Sequence, residues 1–209
     1  MIFLLINLLI YATGYKLLDR KYDSNLIDIH IGTCPTNVDC VSMIFNAVNE
    51  MNLPGSYRHI NWHFSNSSQS VNLNSDDVDN NSDNNIYFLF MPNEVGKTIF
   101  RILNNIIIEF DMLINPYGLS HNTLYNVILH EFSHVFLLDH GEYKDSISGH
   151  LINTLSDSII QSNKKLKLTK DDCIGIYVKM INDIFIKDYL YAVNLINIMR
   201  SHCKNYKIK

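Results

Sequence analysis

The sequence predicts a single α+β domain, and three observations carry that expectation. Residues 26–31, 60–64, 86–91, 98–103 and 106–113 form short apolar or alternating runs of strand character. Residues 41–51 and 123–136 repeat their apolar positions at helical spacing, and residues 182–206 add a further helical stretch at the end. At 209 residues, with 47% apolar and 18% charged side chains, the chain is long and apolar enough to bury one core.

The first dozen residues are almost entirely apolar, with Asn7 the only polar side chain before Tyr11. That run is short for a bilayer span but suits the core of a signal peptide, and Ala12-Thr-Gly14 supplies small residues for cleavage. Residues 1–14 are therefore read as a signal peptide, with Tyr15 opening a short lead over 15–25. A buried first strand or an uncleaved anchor is the alternative, since no positive charge precedes the apolar run. After cleavage no stable membrane insertion is expected. The net charge of −4, without clustered Lys and Arg beyond a mild excess at the C-terminus, argues against a nucleic-acid partner.

Four cysteines are an even number and compatible with an oxidising compartment. Of the three possible connectivities, Cys34–Cys40 with Cys173–Cys203 is expected; buried free thiols are the alternative. Within the first half, residues 26–31 alternate and Asn37-Val-Asp39 offers a helix cap. Val41, Ile44, Phe45, Val48 and Met51 follow at helical spacing, and Pro54-Gly55 ends the helix. Trp62 lies in the next strand between His59 and His63, which read as ordinary surface or core histidines.

Residues 65–85 are mostly Ser, Asn and Asp and read as a loop. Asn66 and Asn80 head glycosylation acceptors if the chain is secreted. Asp76, Asp77, Asp79 and Asp83 could hold Ca²⁺, although the run lacks the Gly and terminal Glu of an EF-hand, so a solvated acidic loop is preferred. Asn104-Asn105 separates two strand runs and predicts a hairpin. Asn115-Pro-Tyr-Gly118 turns the chain, and Ser120 or Asn122 can cap the helix at 123–136.

That helix carries HEFSHVFLLDH at residues 130–140. His130 and His134 stand one turn apart on one face, so both can reach one metal ion, and Glu131 lies beside it as a base for a water molecule. His140 faces away if the helix runs on, at about 100° per residue. It becomes a third ligand only if the helix stops near Leu137–Leu138 and the chain doubles back. A chance HExxH in such a chain is roughly a one-in-a-hundred event, and a third His ten residues after the first makes it rarer still. Three His and an open position describe a catalytic rather than a structural Zn²⁺ site; a core helix with satisfied histidines is the alternative.

These residues resemble the zinc signature of the metzincin metallopeptidases, and most closely its matrixin branch, which often reads HEFGHxxGLDH. Residues 168–176, LTKDDCIGI, are similar to the LxxDDxxGI pattern at the start of the last matrixin helix. The resemblance covers roughly residues 26–181. It implies a zincin fold: a twisted, mostly parallel sheet of about five strands, an active-site helix bearing HExxH, and a C-terminal helical subdomain. It also implies that an edge strand near residues 98–113 lies over the cleft and pairs with an extended peptide, and that residues 155–167 wall the pocket beyond the scissile bond. Residues 182–209 then extend past the family's core as a packing helix or partner-binding tail.

Several departures from the family pattern stand out. Leu137 replaces the Gly at which the family's backbone turns sharply, and a non-Gly residue there costs about 1 kcal/mol or more. Residues 149–154 match the family's Met-containing turn with Ile152 in the Met position, and His150 in that turn is a fallback ligand. Residues 91–110 hold neither His nor Asp, so no second zinc is expected there. Cys34, in Gly-Thr-Cys-Pro, does not match the family's pro-segment cysteine, and no latency segment is expected.

The expected protein is thus a secreted monomeric zinc endopeptidase that cleaves protein or peptide substrates. His130, His134 and His140 are its ligands and Glu131 its general base, with Asp139 a candidate for orienting an imidazole. A metal-binding but catalytically silent homologue that acts by interaction is the alternative, and a zinc hydrolase with another third ligand a further one.

Overall fold

The computed structural model describes residues 18, 20–22, 26–55, 59–64, 83–140, 147, 165–185 and 188–206. Strands β1 (Lys21–Tyr22) and β2 (Leu26–Ile31) are followed by helix α1 (Cys40–Met51). Strands β3 (His59–Phe64), β4 (Asn84–Phe88), β5 (Gly96–Leu103) and β6 (Ile106–Ile114) come next. Helices α2 (His121–Val135), α3 (Lys170–Phe185) and α4 (Tyr189–His202) complete the order, with a 3₁₀ turn at Cys203–Asn205. The expected signal peptide, the acceptors at Asn66 and Asn80, Asp76, Asp77 and Asp79, the turn at 149–154 and the pocket wall at 155–164 lie outside the described residues.

The sheet runs β3-β2-β4-β6 in parallel, with β5 antiparallel along the other side of β6. β1 pairs in parallel with Ile106 and Ile107, the part of β6 that β4 does not reach. This is a mostly parallel α+β arrangement. Alternation within β2 buries Ile27, Ile29 and Ile31 and leaves Leu26 and Asp28 exposed. α1 and α2 pack against each other, and their apolar faces share one buried cluster with β2, β4 and β6. Each large side chain so buried contributes about 1.5–3 kcal/mol.

Local chemistry explains the boundaries. The Asp39 carboxylate accepts from the Ser42 amide and caps α1. Asn104 and Asn105 take φ of 51° and 64°, the paired left-handed residues of a type I′ hairpin turn whose twist matches the flanking strands. β4 starts at Asn84, inside the stretch that composition assigns to a loop. The Asn84 side chain accepts from the Phe110 amide and donates to the Asp28 carbonyl, so its polar groups serve the sheet. The strand also ends at Phe88, short of the expected Met91.

Two disulfides, Cys34–Cys40 and Cys173–Cys203, match the expected pairing. The second ties α3 to the end of α4, whose Ala192, Leu195 and Met199 are buried in the core. Tyr177 and Tyr191 donate to the carbonyls of Pro54 and Gly55, so the C-terminal helices also hold the loop after α1. Among the described residues no helix is long and apolar enough to cross a membrane.

Candidate metal centre

The site begins with the start of α2. Ser120 accepts from the Thr123 amide and caps the helix, and nearly every side chain from Thr123 to Val135 is buried. The helix ends at Val135, with Leu137 at φ 68°. The Leu137 amide donates to the His134 carbonyl and the Leu138 amide to the Ser133 carbonyl, the hydrogen-bond pair of a Schellman C-cap. A leucine thus occupies the left-handed position that glycine usually fills, at a cost of about 1–2 kcal/mol. Full burial of Leu137 and Leu138 offsets that cost. The Leu137 carbonyl accepts from the Leu18 amide, and the Leu18 carbonyl accepts from Lys179, whose ammonium also lies 3.3 Å from the Asp183 carboxylate.

This reversal brings His140 back to the helix. Its ring centroid lies 5.3 Å from that of His130 and 4.7 Å from that of His134, and His130 and His134 are 4.8 Å apart. One ligand nitrogen from each residue falls within 4.8 Å of the others. A tetrahedral ion with bonds of about 2.1 Å would need nitrogens about 3.4 Å apart, so the rings would have to close in modestly on an ion. The three histidines can hold a metal ion.

The ring orientations fit that role. Nδ1 of His130 lies 2.7 Å from the Ile147 carbonyl and Nδ1 of His134 lies 2.8 Å from the Leu138 carbonyl. A carbonyl only accepts, so each Nδ1 carries the proton and each neutral ring keeps its lone pair on Nε2. Burial lowers the His134 pKa from 6.5 to about 4, which keeps that imidazole neutral and able to ligate. Asp139 does not orient a ring by hydrogen bonding: its carboxylate accepts from the His140 amide and lies 3.9 Å from His140 Nδ1. The acceptors that sequence reading missed are main-chain oxygens, which no residue type announces.

Behind Ile147 stands Asp172, fully buried at the start of α3. Its carboxylate accepts from the Ile147 amide, the Thr169 amide and the Thr169 hydroxyl. A continuous path therefore runs from α3 through Ile147 to the His130 ring.

Glu131 is 2% exposed, and Thr98 on β5 donates to its Oε2 at 2.7 Å. Burial raises its pKa to about 7 against the opposing hydrogen bond, with the Glu94 charge adding to the rise. That value belongs to the metal-free site; a cation alongside would favour the carboxylate. His63 lies elsewhere, on β3 against Asp28 at 3.0 Å and stacked on His30, in keeping with a non-ligand role. The His59 side chain and His150 lie outside the described residues, and Asp83 is exposed. No family model matches the chain, and no curated protein matches it either.

Proposed function

We propose that the chain is a secreted zinc endopeptidase of metzincin type, closest to the matrixins, acting on protein or peptide substrates. The observation that supports this most is the convergence of His130, His134 and His140, made possible by the reversal at Leu137, on the helix that also carries Glu131. Three imidazoles with no fourth protein ligand in the group among the described residues suit Zn²⁺ in an open, catalytic coordination. The antiparallel edge strand β5 adds support, since it pairs only with β6 among the described residues and can take an extended peptide as a further strand.

In this reading, a bound Zn²⁺ would supply Lewis acidity toward the scissile carbonyl and a water molecule. His130, His134 and His140 fix its place, and the carbonyls of Ile147 and Leu138 hold two of the rings. Glu131 takes the proton of the attacking water and passes it to the leaving amine. Buried beside β5, its carboxyl sits where water is scarce and proton transfer is directed. The paired cysteines suit an oxidising, extracellular setting.

Casein digestion by purified protein, with and without a chelator, tests the reading alongside Glu131→Gln. The wild type should show chelator-sensitive cleavage, and the variant should keep one equivalent of zinc while losing turnover by a factor of about 10² or more. Bound zinc without cleavage in the wild type would favour the catalytically silent homologue. Full activity in Glu131→Gln would remove Glu131 from its role.

A further inference from the structure

The inward row of β5 and β6 consists of Gly96, Thr98 and Phe100 opposite Ile114, Met112 and Phe110. The β6 members of that row are fully buried, and α2 packs over β5. In such a row a valine would fill the same space as Thr98 without a hydroxyl to satisfy. The hydroxyl has a specific partner: it donates to Oε2 of Glu131 at 2.7 Å. Two residues earlier, Gly96 lets the strand approach the same side chain. A Cβ there would stand 2.7 Å from Glu131 Oε1 and 2.7 Å from Val127 Cγ1, closer than atoms can sit.

A buried carboxylate on a helix retains freedom about its side-chain torsions unless something outside the helix holds it. β5 provides that hold twice, through the absent side chain of Gly96 and the hydroxyl of Thr98. We propose that Thr98 is a positioning residue that fixes the rotamer of Glu131 by holding Oε2 from β5, and so sets how the carboxylate meets the water and the leaving amine. This inference rests on the peptidase reading. It goes beyond it by assigning the aim of the base to a side chain of the strand expected to receive substrate.

Thr98→Val and Thr98→Ser are the test variants, compared with wild type in the full secreted chain. Thr98→Val should lower kcat by about ten- to a hundredfold with KM unchanged, because the base is misaimed while the strand's main chain still receives peptide. Thr98→Ser should restore most of kcat, and both variants should bind zinc with wild-type affinity. A readout independent of turnover is a double-mutant cycle of Thr98→Val with Glu131→Ala on the stability of the metal-free protein, which should give a non-zero coupling. An active Thr98→Val variant with wild-type kcat, or an additive cycle, would overturn the inference while leaving the peptidase reading intact. A wild type that cleaves nothing would overturn that reading and take the positioning role with it, whatever the cycle shows.

Discussion

The Leu138 carbonyl accepts a hydrogen bond from Nδ1 of His134 at 2.8 Å, so the residue just past the reversal orients a ring just before it. The end of α2 and the metal centre are therefore one piece of structure. What disturbs the cap disturbs the ligands.

Leu137→Gly separates strain from burial at that cap. Glycine would relieve about 1–2 kcal/mol of left-handed strain, but removing a fully buried leucine side chain costs about 2–5 kcal/mol. The variant should unfold at lower temperature than wild type, even though it introduces a glycine at a left-handed position. A rise in Tm on thermal scanning would show that strain outweighs packing here.

Replacing His140 by Ala should leave the fold intact and weaken zinc binding at least about a hundredfold, since a ligand is lost from a group of three. Competition titration against a chromophoric chelator reads the affinity. Unchanged affinity would mean that His140 approaches the site without ligating.

Asp172→Asn retains the shape but presents an amide where three donors converge. The expected cost is about 1–3 kcal/mol of stability. Slackening of Ile147 behind His130 should add a loss of metal affinity of about ten- to a hundredfold. Denaturant unfolding and zinc titration on the same variant check both, and a stability loss without an affinity loss would cut the path to His130.

The metal-free protein should show opposed pH dependences. Glu131 titrates at about 7 when folded against 4.5 unfolded, so its contribution is fully present below about pH 4.5 and is lost as pH rises through 7. His134 titrates at about 4 against 6.5, so its contribution is present above about pH 6.5 and lost as pH falls through 4. Glu131→Gln removes the first and leaves the second. The Tm of wild type relative to this variant should rise as pH drops from about 7 to 4.5; a difference constant with pH would refute the burial-driven shift.

The cross-links differ in the loops they close, with sequence separations of 6 for Cys34–Cys40 and 30 for Cys173–Cys203. Loop-closure entropy assigns them about 2 and about 3.5 kcal/mol respectively. Paired Cys→Ala substitutions, followed by chemical unfolding, should rank in that order.

Much of this was legible because it is local. Alternation marked β2, an Asn-Asn pair marked the hairpin, and Asp39 and Ser120 marked helix starts. His130 and His134 declared themselves by helical spacing. The reversal at Leu137 ran against residue preference, because long-range burial outweighed a local cost that a sequence reading registers more readily. Asn84 escaped because its amide bonds to strands distant in the chain. Thr98 and Gly96 escaped for a similar reason: nothing near them in sequence points to a carboxylate on another element.

That Ile147 and Leu138 act through peptide oxygens has an evolutionary corollary. Any amino acid can present a carbonyl, so selection for imidazole geometry places little constraint on which letters stand at positions 138 and 147. Packing does constrain them, because Leu138 and Ile147 are both fully buried, so a replacement must fill the same apolar space while keeping its carbonyl in place.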